Sequence, residues 1–366
     1  MVDARAASTI FDPQRLKVAR EVNKLSRTAL AKQLGVSAAA VGQWESGEIR
    51  PRPQTLLELA SVLEFPVAYF ATSGRTLHNL DSDCTFFRSL RKSKQVDRDA
   101  AMAHAALIAE LVTIIERHAA LPPETIPLEG VDREVSNEHI DAIAKEVREA
   151  WGLGDEPIDD VLREVELHGA VGARLELAEA VDAFSWPGNG RPIVILGADK
   201  GDRARSRFDA AHELGHLTMH REHPKPGDPQ LERQAHRFAS VFLLPTERLH
   251  AEWPSGRLNW RELMALKRRW QMSLAALLYR ARQDQLLSET AYESAIKYMS
   301  RAGWRRKEPG DLGPPEHPRL LRRAVEALRE KADLTIEELA AEAHLSLDLV
   351  QGYLHPAVPA RVTVEL

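Results

Sequence analysis

Apolar residues recur at helical spacing over most of the chain. In residues 13–71 they form short amphipathic segments separated by turn residues. Residues 96–118 (VDRDAAMAHAALIAELVTIIERH) contain no Pro or Gly and predict one long helix, which LPPETIPLEG (121–130) breaks. The polar, Gly-containing stretch 72–82 before it reads as a linker. From 137 the texture changes. Helices are expected over Asn137–Trp151 and Ile158–His168, then strand-like runs at 169–175, 181–186 and 192–198, with PGNG (187–190) as the turn between the last two. Helical spacing returns in RARSRFDAAHELGHLTMH (203–220) and in LERQAHRFASVFLL, which Pro245 ends. It continues over 259–287 and 289–301. DLGPPEHP (311–318) reads as a Pro-rich linker, and 319–354 as two or three short helices. The pattern predicts a multidomain, mainly α protein. Its parts are an N-terminal all-α unit (1–72), a helical connector (73–125), a central α+β domain with a small sheet (126–255), a helical extension (256–310) and a C-terminal helical region (311–366).

Composition narrows the class. Hydrophobic residues make up 44% and charged residues 28% of the 366, as in globular proteins. The net charge of −5 excludes polyanion binding by bulk charge, so any nucleic-acid surface has to be local. Cys84 is the single cysteine, which excludes an internal disulfide framework and a thiolate zinc cluster and fits a reducing compartment. The N-terminus lacks the apolar core of a signal peptide, and no run of 18 apolar residues occurs. The expectation is a cytoplasmic protein with no membrane partner.

Within 1–72, Leu30, Ala31 and Leu34 form an apolar stripe that Gly35 ends in the manner of a left-handed cap. Val36 is expected to pack inward, and Ser37 is a good N-cap for AAAVGQWE. Two short helices joined by a Gly-containing turn are the mark of a helix-turn-helix. Residues 1–75 hold ten Lys or Arg against seven Asp or Glu, a local net of +3. The alternative for such a unit is a protein-docking module. The pattern LAKQLGVS followed by VGQWESG resembles the Cro/cI-type (XRE) helix-turn-helix family over about 60 residues. The resemblance implies that Ser37–Glu45 is the recognition helix, entering the major groove of an operator. Ala38, Ala39, Gly42 and Gln43 then face the bases, and Arg27, Arg50 and Arg52 hold phosphates. Three alanines on that face limit direct base contacts and shift specificity towards DNA shape. Such readers usually pair on two half-sites, so a homodimer is expected.

HELGH (212–216) places two histidines four apart, on one helix face about 6 Å from each other. His212 and His216 can therefore offer two imidazoles to one zinc ion, with Glu213 beside the metal as a base for its water. Phe208, Ala211, Leu214 and Leu217 give that helix its buried face. A third ligand is needed. Glu232 stands 16 residues past His216, after a turn supplied by Pro224, Pro226 and Gly227. The opposite assignment makes His236 the ligand and leaves Glu232 on the surface. His220 extends the same face and reads as a solvated helix end. RFDAAHELGHLTMH followed by ERQAHRFASVFLLP resembles the ImmA/IrrE-type metallopeptidase family, over roughly 137–250. The resemblance implies a zincin-like domain in which His212, His216 and Glu232 bind Zn2+ and Glu213 is the general base. It leaves His236 and His220 to support the ligands or polarise the substrate. The small sheet could hold an extended substrate along its edge.

Three segments remain. FFRSLRKSKQ (86–95) is basic with two aromatics and reads as a solvated connector between domains. Residues 262–309 read as packing and dimer surface. LTIEELAAEAHLSLDLVQGYL (334–354) imitates LSRTALAKQLGVSAAAVGQWE but carries Glu337, Glu338, Glu342 and Asp348 with no Lys or Arg, a face that a polyanion repels. It reads as a degenerate helix-turn-helix used for packing or partner binding. The whole is expected to be a DNA-binding transcriptional regulator with a zinc metallopeptidase domain that cleaves itself or a partner regulator on a signal. The alternative is a repressor or antitoxin-like protein whose zinc domain is a non-catalytic sensor. The intact Glu213 argues against that alternative, since a structural site needs no base.

Overall fold

The computed structural model describes residues 3–72, 94–176, 183–188, 190–198, 201–221 and 227–355, together with the backbone of 86–87. Most of the 72–82 linker, Cys84, the rest of the basic 86–93 stretch, Pro224 and Pro226 lie outside the described residues.

The N-terminal unit comprises α1 (Ala4–Thr9), α2 (Pro13–Val22), α3 (Arg27–Leu34), α4 (Ala38–Ser46), α5 (Pro53–Leu63) and a 3-10 turn (Val67–Ala71). Local chemistry sets its boundaries. Asp12, Ser26 and Ser37 cap α2, α3 and α4 by accepting first-turn amides. Gly35 ends α3 at φ 67°, a conformation that disfavours a Cβ. Leu30, Val41, Leu56, Leu59 and Leu63 are fully buried. Val36 departs from expectation: it is 36% exposed, because its backbone closes the α3 cap on the Ala31 carbonyl and its side chain turns outward.

The long helix α6 (Gln95–His118) is the spine. Its Ala-rich face lets α2 pack closely, and a buried Arg15–Glu110 pair at 2.6 Å ties the two. The tail helices α15 (Leu320–Ala332), α16 (Ile336–Ala343) and α17 (Leu347–Leu354) also lie in this core. Tyr353 hydroxyl meets His104 Nδ1 at 2.9 Å, and Glu342 takes Arg117 and His118. The acidic tail unit therefore packs against α6 in this fold.

Four strands form one sheet in the order β1 (Phe86–Phe87), β3 (Ala183–Trp186), β4 (Ile193–Gly197), β2 (Val171–Leu175). β2 and β4 run parallel; β3 is antiparallel to both β4 and β1. Three strands match the expected runs, while β1 is a short edge strand inside a stretch that read as connector. Alternation divides the sheet between two cores. Phe184, Trp186, Ile193 and Ile195 join the core that holds α6 and the N-terminal unit. Ala183, Val194 and Leu196 join the core of the central domain.

That second core gathers α7 (Asn137–Ala150), α8 (Val161–Leu167), α9 (Arg203–Met219), α10 (Pro229–Leu243) and α11 (Thr246–Glu252). The 259–287 stretch divides into α12 (Trp260–Trp270) and α13 (Leu274–Gln283), because Gln271 is left-handed at φ 52° and Ser273 caps the next helix. With α14 (Glu289–Arg301) these build a third, smaller core. The Pro-rich 311–318 stretch is fastened inward rather than solvated. Glu316 is 4% exposed, pairs with Arg207 of α9 and accepts the Leu162 amide, while Arg174 holds its carbonyl. Among the described residues no helix is long and apolar enough to cross a membrane.

The tail–α6 contact is pH-sensitive by its chemistry. Burial pushes the His104 imidazole down to about 4, from 6.5 in an unfolded chain. The folded form refuses a proton that the unfolded form accepts, so stability is full above pH 6.5 and falls as pH drops towards 4. Between pH 7.5 and 5.0 the loss from this group is about 2 kcal/mol. Thermal unfolding of wild type and His104→Asn at both pH values checks this: the variant should lose correspondingly less, and an equal loss would count against it.

Candidate metal centre and DNA-reading helix

α9 is buried along nearly its whole length, with Arg203 and Arg205 the exceptions. It lies between the sheet and α10, so every side of it needs a packing partner. Gly215 is what allows α10 to come so near. A Cβ there would meet Phe238 Cδ1 at 2.9 Å and Cγ at 3.2 Å, closer than van der Waals contact allows. The close approach delivers Glu232, in the first turn of α10, to the two histidines of α9.

His212, His216 and Glu232 converge so that one ligand atom from each lies within 4.8 Å of the others. His212 Nε2 stands 3.2 Å and His216 Nε2 3.6 Å from Glu232 carboxylate oxygens, and the two Nε2 atoms are 3.1 Å apart. Donors placed tetrahedrally around zinc at its usual nitrogen and oxygen distances stand roughly 3.3–3.4 Å apart. The donor set therefore fits the ion in kind and in spacing. Both imidazoles are 1% exposed. Burial opposes ionisation of Glu232, but hydrogen bonds with His212 and His216 outweigh it and hold the carboxyl well below the ordinary range. Of the two assignments open from sequence, Glu232 is the one turned into the cluster. His236 lies aside, half-buried, its ring 4.6 Å from Phe208 and 5.6 Å from Tyr279.

Behind His216 runs a relay with a defined direction. Gln234 Nε2 donates to the Asp132 and Arg133 carbonyls, which leaves its Oε1 to accept from His220 Nε2 at 2.8 Å. Neutral His220 then accepts at Nδ1 from His216 Nδ1, 2.9 Å away. His216 is thereby fixed as the tautomer whose Nε2 lone pair points into the cluster. Burial first, then the nearby His216, pushes His220 down to about 3, consistent with a neutral ring. His220 is 3% exposed, so the expectation of a solvated helix end fails: Gln234 supplies the partner that the sequence did not reveal. Glu213, 1% exposed, accepts a hydrogen bond from Ser185 Oγ at 2.6 Å. Strand alternation is the one sequence signal for Ser185, a polar residue between Phe184 and Trp186.

A cleft of about 1220 Å³ touches the cluster at Glu232, while His212, Glu213 and His216 stay behind its wall. Phe208, Glu232 and His236 line one part of it, and Tyr279 of α13, Tyr292 of α14 and Trp304 in the turn after α14 line another. A stretch expected to serve as packing surface thus also shapes access to the centre.

In the N-terminal unit, α4 presents Ala38 and Ala39 exposed and Gly42 and Gln43 half-buried, while Val41 and Trp44 anchor it. Ser37 Oγ is engaged as the cap, accepting from Ala40. Arg27 is 55% exposed on its side chain and paired with Glu45 at 2.6 Å, and Glu45 in turn holds buried Arg20. Arg50 is exposed and donates to the Thr9 carbonyl. Arg52 is exposed at the N-cap of α5.

Fold and site together define a DNA-binding protein with a helix-turn-helix unit and a metallopeptidase-like domain. Residues 16–70 match the helix-turn-helix family model, and residues 175–282 match that of the IrrE N-terminal-like domain, so the chain is a fusion of the two. The second match begins at Leu175 and runs past Pro245 to Arg282 in α13, so against the 137–250 span of the sequence resemblance it leaves out 137–174 and adds 251–282. No curated protein matches the chain.

The α9–α10 approach yields a direct check. Gly215→Ala has to displace Phe238, and thermal unfolding should show a loss of about 1–3 kcal/mol. An unchanged midpoint would mean that α10 does not depend on that contact.

Proposed function

We propose that the chain is a DNA-binding transcriptional regulator whose central domain is a zinc-dependent endopeptidase, acting on itself or on a partner regulator in response to a signal. The observation that carries this reading is the convergence of His212, His216 and Glu232 beside a buried Glu213. These three residues would hold Zn2+, with His220 and Gln234 fixing the ligand tautomer of His216. Zinc there would supply Lewis acidity towards a water and a peptide carbonyl. Glu213 takes the proton from the attacking water and returns it to the departing amine; the Ser185 hydroxyl orients the carboxylate. His236 and Tyr279 stand along the cleft where the scissile segment passes. The N-terminal unit reads an operator as a homodimer in the cytoplasm. Gln43 contacts bases with Ala38, Ala39 and Gly42 against them, and Arg27, Arg50 and Arg52 lie along phosphates.

A second reading makes the metal centre a non-catalytic sensor, and the 1% exposure of His212, Glu213 and His216 favours it. Elemental analysis and activity separate the two. Wild type should carry one zinc per chain, and Glu232→Ala should weaken binding at least about 10-fold. Glu213→Gln should keep the zinc and lose at least about 100-fold in hydrolysis of an unstructured protein. Zinc retained with an unaltered cellular effect in Glu213→Gln would establish the sensor reading, and no zinc in wild type would defeat both.

For DNA, Arg52→Ala should weaken operator binding evenly across sequences and lower the salt slope by about 1, whereas Gln43→Ala should relax specificity. Gel-shift titrations over a salt series measure both. A salt-independent affinity would point to a docking module instead.

A further inference from the structure

The cleft beside Glu232 has a rim whose charge opposes that of the chain as a whole, which is net −5. The acidic residues on its wall are buried or engaged. Glu308 takes Lys267 and the amides of Leu274 and Ala275, Asp202 caps α9, Asp209 is 4% exposed, and Glu232 belongs to the donor set. Arg237 is likewise held, between Asp141 and Asp284. Three other arginines are not. Arg233 of α10, and Arg305 and Arg306 in the turn after α14, line the cleft and are exposed. Arg233 donates to the Gln230 amide oxygen, and among the described residues no carboxylate pairs with any of the three.

The same cleft has an aromatic wall. Tyr279, Tyr292 and Trp304 are half-buried along it. Trp260 and Tyr298 brace Trp304 at ring distances of 5.2 and 5.3 Å, and the Arg282 guanidinium lies 4.9 Å over the Tyr292 ring. Rings held in this way present apolar surface that needs little further ordering when a partner binds.

We propose that this cleft recognises an extended protein segment carrying acidic side chains next to large apolar ones, with the arginine rim taking the carboxylates and the aromatic wall the apolar groups. The proposal rests on the peptidase reading above and names its substrate class. Guanidinium forks match carboxylates, and a basic segment is rejected by like charge. Size and placement favour a protein segment over a free small anion. The volume of about 1220 Å³ exceeds the roughly 300–1,000 Å³ of small-molecule pockets. The cations stand on an exposed rim built from two separate elements, where a longer chain reaches them. The acidic residues of the wall disfavour a nucleic acid, whose negative charge repeats along its length.

Fluorescence anisotropy on the full-length Glu213→Gln chain, with zinc supplied, measures binding apart from cleavage. The probes are labelled Gly/Ser peptides of about twelve residues. Their central block is Glu-Glu-Leu-Phe, Gln-Gln-Leu-Phe, Lys-Lys-Leu-Phe or Glu-Glu-Ser-Ser. At low salt the Glu-Glu-Leu-Phe peptide should bind about 5-fold tighter than its Gln counterpart, with the Lys peptide weakest, and the gap should narrow in about 0.5 M salt. Replacing Leu-Phe by Ser-Ser should weaken binding at least about 10-fold. Arg305→Gln/Arg306→Gln should bring the Glu and Gln peptides within about 2-fold, and Arg305→Lys/Arg306→Lys should keep part of the preference. Both residues are exposed, so neither variant removes core packing. Equal affinity for the Glu, Gln and Lys peptides, or a preference unaltered in Arg305→Gln/Arg306→Gln, would overturn the proposal. So would displacement of the Glu peptide by equimolar N-acetyl-phenylalanine or by a thymidine oligonucleotide, which would make the cleft a small-anion or nucleic-acid site. A preference that follows the arginines, while zinc-loaded wild type cuts none of the peptides, keeps the recognition site and defeats the peptidase reading.

Discussion

The close packing of α10 on α9 is the constraint on which the rest of the centre depends. Glu232 reaches the two histidines only because Phe238 rests on a residue with no side chain, Gly215. Once the helices are that close, a carboxylate and two imidazoles are brought out of water together, and three lone-pair donors confront one another within 4.8 Å. Such a cluster is costly unless a cation or shared protons compensate it. The surroundings are built to keep it aimed. Gln234 and His220 set the tautomer behind His216, and Ser185 holds Glu213 from the sheet side.

The sheet carries this geometry to the remainder of the molecule. One face packs under α9; the other belongs to the core that contains α6, the tail helices and the N-terminal unit. The N-terminal unit is therefore not joined to the metallopeptidase-like domain by a chain connection alone. Its α2 lies on α6, with Arg15 and Glu110 paired in the interior. α6 also packs on β4 of the sheet. Glu316 closes the arrangement from the other end, fastening the Pro-rich stretch to Arg207 on the HELGH helix.

Much was legible in the sequence because it depends on neighbours within one or two turns. The caps at Ser26 and Ser37, the left-handed Gly35, the long α6 and the three principal strands follow from spacing and side-chain type. The i, i+4 relation of His212 and His216 is a property of any helix. Errors arose where a residue's environment is set by a distant segment. His220 read as solvated because Gln234, 14 residues on, is visible as its partner only after α10 folds back. Glu316 read as part of a linker because its partners Arg207 and Arg174 come from over a hundred residues earlier. Phe86 and Phe87 read as connector because a strand of two residues has no period, and its pairing is decided by β3.

The sequence by itself therefore determined the elements and the chemical inventory: a helix-turn-helix, a HELGH helix and a following helix with acid and imidazole in its first turns. It left open whether Glu232 or His236 turns inward, since both sit on a helix whose rotation about its axis is not a local property. Only the tertiary structure decided that, through the contact of Phe238 with Gly215. It also decided that reader, spine and tail share one core. Both decisions depend on packing between residues far apart in the chain, which periodicity does not encode.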